Sequence, residues 1–172
     1  MLTRSNPALA TRIYALLGFE PTEPLQWPAQ WAAARISNPD APHHRHLMWL
    51  SEGERRIAVM PVLVARRLSL EPGESFFSVL DVRLVAVQPG RPGQPTRVLE
   101  RDGQPLWQPA YAVAPYLERM GGNTGYVFHP EETAADNFSY LVSGRKVPNP
   151  ELLRRLRAVL QSGNPLPAKS PP

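Results

Sequence analysis

The residues best suited to chemistry stand in one short run, His129-Pro130-Glu131-Glu132-Thr133-Ala134-Ala135-Asp136. Imidazole and carboxylate groups bind divalent transition metals and exchange protons. If the run is helical, Glu132 and Asp136 lie one above the other on one side, because they are four residues apart. The apolar stripe of that helix reads Ala134, Ala135, Phe138, Leu141 and Val142. The two carboxylates flank it, roughly 120° from its centre at about 100° per residue. Such a flank either lines a cleft or faces water as an acidic first helical turn. The other histidines, His43, His44 and His46, are grouped upstream in Pro42-His43-His44-Arg45-His46. They are additional candidate ligands for an ion held by His129 and Glu132. Next to a turn and beside an arginine, they also read as an exposed polar loop. His129 is equally suited to capping its helix and packing beside Tyr126 and Phe128.

The surrounding sequence reads Asn123-Thr124-Gly125-Tyr126, then His129-Pro130-Glu131-Glu132, then Ala135-Asp136-Asn137-Phe138. This stretch resembles a family of bacterial zinc metallopeptidases and, more distantly, the second zinc helix of thermolysin-like gluzincins. The likeness covers residues 123–138 and extends in part through Pro148-Asn149-Pro150-Glu151-Leu152. It implies that Glu132 is a zinc ligand and that Asp136 orients a zinc-bound histidine from another helix. Those enzymes also need His-Glu-x-x-His, which supplies two ligands and a general base. Here no histidine is followed by Glu or has a histidine four positions on. The resemblance therefore implies a zinc-metallopeptidase-like protein without the catalytic helix. As this chain it is non-catalytic, with a binding or structural role, and no catalytic residue is assigned. The alternative is an active metal-dependent hydrolase with an atypical site of His129, Glu132 and one or more of His43, His44 and His46. Zinc is the cofactor that both readings imply.

Several other chemistries are excluded. The chain has no cysteine, so it has no disulfide framework, thiolate metal site or cysteine nucleophile. Gly-x-Ser-x-Gly, a Walker loop and a dinucleotide fingerprint are all missing. Arg145, Lys146, Arg154, Arg155 and Arg157 cluster near the C-terminus, and SGRKVPNPELLRRL faintly echoes a repressor-type helix-turn-helix. A DNA-binding regulator is thus a third option. Acidic residues on the preceding helix repel phosphate, and a net charge of +4 permits nucleic-acid contact without arguing for it. A protein or peptide partner fits better. No run approaches the ~20 apolar residues that span a bilayer. The first residues carry no signal-peptide pattern, so the expected location is cytoplasmic, without a membrane partner.

The 172 residues suit one domain, expected over 1–162, followed by a disordered proline-rich tail, 163–172. Twenty-one prolines are more than twice the usual share of about 5%, which predicts short elements and many fixed turns. Helices are expected over 5–18 and 28–36, then 113–120, 130–143 and from 149 through Leu160. Between them the pattern is β. Short strands are expected over 46–50, 56–65 and 75–87, with Pro61 placing the second at an edge or breaking it. In the third, Leu80, Val82, Leu84 and Ala86 form the buried face. Asp102-Gly103 predicts a hairpin between 96–100 and 106–111. The fold class is α+β: N-terminal helices, a small mainly antiparallel central sheet, and C-terminal helices packed on one face.

Overall fold

The computed structural model describes residues 5–37 and 44–162. Helix α1 is Pro7–Leu16. Asn6 caps it by accepting a hydrogen bond from the Leu9 amide at 3.0 Å, and Pro7 opens it. Strands β1 (Phe19–Pro21) and β2 (Leu25–Gln26) follow. Over 28–36 the expected α-helix is a 3-10 run, Ala29–Ala34, with no buried residue. Its alanines offer little apolar surface to bury, so packing does not enforce a full α-helix.

The sheet continues with β3 (His46–Glu52), β4 (Arg55–Ala65), β5 (Leu80–Gln88) and β6 (Thr96–Val98). The hairpin pair β7 (Glu100–Arg101) and β8 (Gln104–Pro105) comes next, then β9 (Trp107–Pro109). Sheet order is β1-β3-β4-β5-β6-β2, with β9 also paired to β5. Every pairing is antiparallel except β2 with β6. Asp102 and Gly103 turn between β7 and β8 with φ of 52° and 72°, the two positive angles a type I′ turn requires.

Two strand expectations need correction. Residues 75–79 are not strand. The Ser75 hydroxyl accepts from the Phe77 amide and holds a 3-10 turn, Phe76–Val79. Pro61 neither breaks β4 nor puts it at an edge, since β4 has β5 on one side and β3 on the other. Pro61 is opposite Leu84 of β5. The Leu63 carbonyl, on the same side of β4 as the Pro61 nitrogen, accepts from Ile36, away from β5. The β3 ladder stops at Met48 opposite Val59, two residues short of Pro61. The missing N–H therefore falls where no ladder bond is made.

Both faces of the sheet are buried, not one. On the helix side Met48, Leu50, Val59, Val82 and Leu84 join Leu9, Ile13, Tyr14, Tyr116, Leu152 and Leu156. On the other side Leu47, Ala58, Met60, Val62, Val64, Val85 and Val87 form a second core, packed by Leu25, Trp27, Trp49 and Trp107. Leu80, at the strand's start, and Ala86 are only half-buried.

The last third is helical: α2 (Ala114–Met120), α3 (Pro130–Ser143) and α4 (Pro150–Gln161). Asn149 caps α4, which buries Leu152, Leu153 and Leu156. Gly144, at φ 66°, ends α3. The α3 bounds match expectation, but its buried face does not. Pro130, Glu131, Thr133, Ala134 and Asn137 face inward, while Phe138 and Val142 are exposed. Among the described residues no helix is long and apolar enough to cross a membrane. The segment 163–172 lies outside the described residues.

Candidate functional site

The loop 121–129 delivers the chain into α3 and ties it down by hydrogen bonds. Asn123 does most of this. Its Nδ2 donates to Asn137 Oδ1 at 2.8 Å and to the Asn149 carbonyl at 2.9 Å. Its Oδ1 accepts from the Asn149 amide at 2.7 Å. One amide side chain thus joins the loop, the middle of α3 and the cap of α4. Asn137 in turn donates to the Thr133 carbonyl at 2.8 Å, and the Thr133 hydroxyl donates to the Tyr126 carbonyl at 2.6 Å. These partners explain why Thr133 and Asn137 face inward: both are buried and both are satisfied.

The carboxylates follow from this roll of the helix. Glu132 and Asp136 share one half-buried flank of α3. The Thr124 hydroxyl donates to Asp136 Oδ2, and the Tyr140 hydroxyl lies 3.4 Å from the same oxygen. Thr124 Oγ1 also accepts from the Tyr126 amide at 3.0 Å. Asp136 is therefore held from two sides, and its Oδ1 takes no part in those bonds.

His129 is the N-cap of α3. Its Nδ1 accepts from the Glu131 amide at 3.1 Å, and the ring is buried. An Nδ1 that accepts has its proton on Nε2 in the neutral ring. His44 lies edge-to-face with His129, ring centroids 5.6 Å apart. Its Nδ1 sits 3.0 Å from an Arg35 nitrogen, which can only donate, so its neutral form also carries the proton on Nε2. His46 packs edge-on against Tyr14 at 4.8 Å. Its pKa is lowered to about 4, first by burial and then by the charge of His129. The fold thus brings His44 and His46 from β3 and its approach to the start of α3. His43 lies outside the described residues.

Proximity is not the same as a metal centre. Among the described residues no three His, Asp or Glu side chains are placed to hold one ion. In their neutral forms, His129 and His44 each direct the Nδ1 lone pair to a donor and carry the proton on the other nitrogen. Ligation by either ring through Nε2 would require that proton to be displaced. Among the described residues, the side chains as arranged do not fit a metal.

Arg35 belongs to this cluster and carried no signal in the sequence. Burial lowers its pKa from the ordinary value, and its Nε has no hydrogen-bond partner among the described residues. The Asn123 and Thr124 roles were also missed. The Asn-Thr-Gly stretch reads as a turn, and turns favour these residues for local reasons. The chain matches no family model, no curated protein and no solved structure.

Proposed function

We propose that this chain is a zinc-metallopeptidase-like protein that is non-catalytic by itself and acts by binding a protein or peptide partner. The observation that supports it most is the state of Asp136. It sits one turn beyond Glu132 on a half-buried flank, held through one oxygen by Thr124 and Tyr140 with the other outside those bonds. A carboxylate fixed in this way suits the orienting role that the resemblance implies. The 172 residues contain no His-Glu-x-x-His, so they lack a zincin's base and its paired ligands. The expected result is no hydrolysis of casein or small peptides with zinc added. Hydrolysis abolished both by chelator and by Glu132→Ala would overturn this reading.

A second reading rests on the nearness of His44, His46 and His129. It makes the protein a metal-dependent hydrolase with a site built from those rings and Glu132. It requires one imidazole to give up its present hydrogen bond. Calorimetric titration with zinc separates the two readings. Tight one-to-one binding lost in both His44→Ala and His129→Ala supports the second.

A further inference from the structure

A cleft of about 450 Å³ is walled by Trp49 and by Pro21, Pro89 and Pro92, with Glu20 and Glu23 also lining it. Its volume falls within the roughly 300–1,000 Å³ of small-ligand sites. Leu47 and Trp49 of β3 point to the side of the sheet away from the helices, so the cleft is separate from His46 and from the start of α3. Two loops build it, and one buried hydroxyl locks them together. Thr96 Oγ1 accepts from the Gly90 amide at 3.0 Å and donates to the Glu23 carbonyl at 2.8 Å. Its single proton is then spent, so the Thr22 hydroxyl, 2.9 Å away, donates to it. Gly90 makes room for the stem of Glu23. A Cβ on Gly90 would sit 2.7 Å from Glu23 Cβ and 2.3 Å from the Gln94 carbonyl oxygen. The three prolines, with φ fixed, stiffen the walls. The cleft is thus formed before any ligand arrives, which lowers the cost of binding.

The lining says what fits. Among the described residues neither Glu20 nor Glu23 takes part in an ion pair. The Trp49 ring is half-buried and already accepts a cation, since the Arg56 guanidinium lies over it at 5.1 Å. Arg56 is not part of the cleft lining, and the two carboxylates outnumber its one charge. A guanidinium suits both features, because it is planar, stacks on an indole and offers paired donors to carboxylates. A compact, strongly hydrated ammonium does so less well. We propose that this cleft binds an arginine side chain of an extended peptide, with the guanidinium against Trp49 and paired to Glu20 and Glu23. Free arginine would bring its own carboxylate beside the two glutamates, and a peptide does not. An aromatic-lined groove is also where extended, proline-rich segments dock. This assignment does not depend on the metallopeptidase-like reading.

The test is an NMR titration of the isotope-labelled full chain with acetyl-Pro-Pro-Arg-Pro-Pro-amide, whose prolines hold the arginine extended. The Trp49 indole N–H signal, assigned with Trp49→Phe, shifts together with the Glu20, Glu23 and Gly90 amides. The Kd is roughly 0.1–1 mM, as one cation–π contact and two ion pairs would give. Citrulline in place of arginine, neutral and of the same shape, abolishes the shifts, and lysine weakens them. Glu20→Gln and Glu23→Gln each raise the Kd about threefold, and together about tenfold. Both leave the circular dichroism unchanged, because neither carboxylate is paired within the fold. Added salt weakens binding. No shift at about 10 mM peptide overturns the proposal. So do equal binding of the citrulline peptide, shifts confined to other parts of the molecule, or a Kd that the double substitution leaves unchanged. Free arginine binding as tightly as the peptide overturns the assignment to a peptide.

Discussion

Asn123 bears on stability more than any residue the sequence singled out for chemistry. Its side chain makes three hydrogen bonds to residues 14 and 26 positions away. Replacing it with Ala leaves the Asn149 amide and carbonyl and the Asn137 side chain without those partners in a half-buried place. Each stranded group costs about 1–3 kcal/mol where water cannot reach it. Asn123→Ala should therefore destabilise the fold by roughly 2–4 kcal/mol in urea unfolding, with little change in the m-value. A loss under 0.5 kcal/mol would mean that water replaces the bonds. The helical flank of Glu132 and Asp136 was legible at this scale, since it depends on spacing alone. The grip of Thr124 on Asp136 was not, because a hydroxyl's distant partner leaves no periodic trace. His129 was open to two readings, ligand and cap, and the cap is present.

At the scale of elements, the prolines, glycines and capping residues located most helix ends, and burial decided the rest. The α3 bounds follow from Pro130 and Gly144. Its inward face does not, because the stripe of Phe138 and Val142 outweighs Thr133 and Asn137 in any count of hydrophobicity. Only the partners of those polar groups reverse it. Pro61 misled for a similar reason: a proline is barred from an inner strand only where its nitrogen faces a ladder. Leu84 pairs with Pro61 and Gln108 and is almost fully buried, so Leu84→Asp should leave the chain unfolded or insoluble. A soluble variant with the parent's circular dichroism would refute the register. Gly121 and Gly122 make a sharper pair. Both have positive φ, at 82° and 68°. A Cβ on Gly121 would sit 2.6 Å from Leu152 Cδ2, while one on Gly122 meets nothing within 4 Å. Gly122→Ala should cost only the left-handed backbone penalty, about 1–2 kcal/mol. Gly121→Ala adds a clash in the core and should cost more by about 1–3 kcal/mol. Equal losses in thermal unfolding would show that α4 moves aside freely.

The whole molecule is a sheet with a core on each face, and its helix-side core meets an imidazole whose pKa folding moves well below its ordinary value. His46 lies on β3 against Tyr14 of α1, with its pKa lowered to about 4 by burial and then by His129. The unfolded chain binds the proton near 6.5. Between these values the unfolded state is protonated at His46 and the folded state is not. Falling pH therefore favours unfolding over this window, and the full contribution is present only above about 6.5. The slope is at most about 1.4 kcal/mol per pH unit, and smaller in practice because the ring is not wholly shielded from solvent. Below about 4 both states hold the proton and the slope vanishes. Glu74 acts elsewhere. Hydrogen bonds from Ser78, the Glu71 amide and Arg67 hold its pKa at about 2, so its contribution is present above its ordinary 4.5 and lost only as pH falls toward 2. Urea midpoints at pH 4.5, 5.5, 6.5 and 7.5 should rise through the first three and then level. In His46→Gln the rise should shrink, because the titrating ring is gone while the neutral amide still packs beside Tyr14. A pH profile identical in parent and variant would place the acid sensitivity of this fold in other groups.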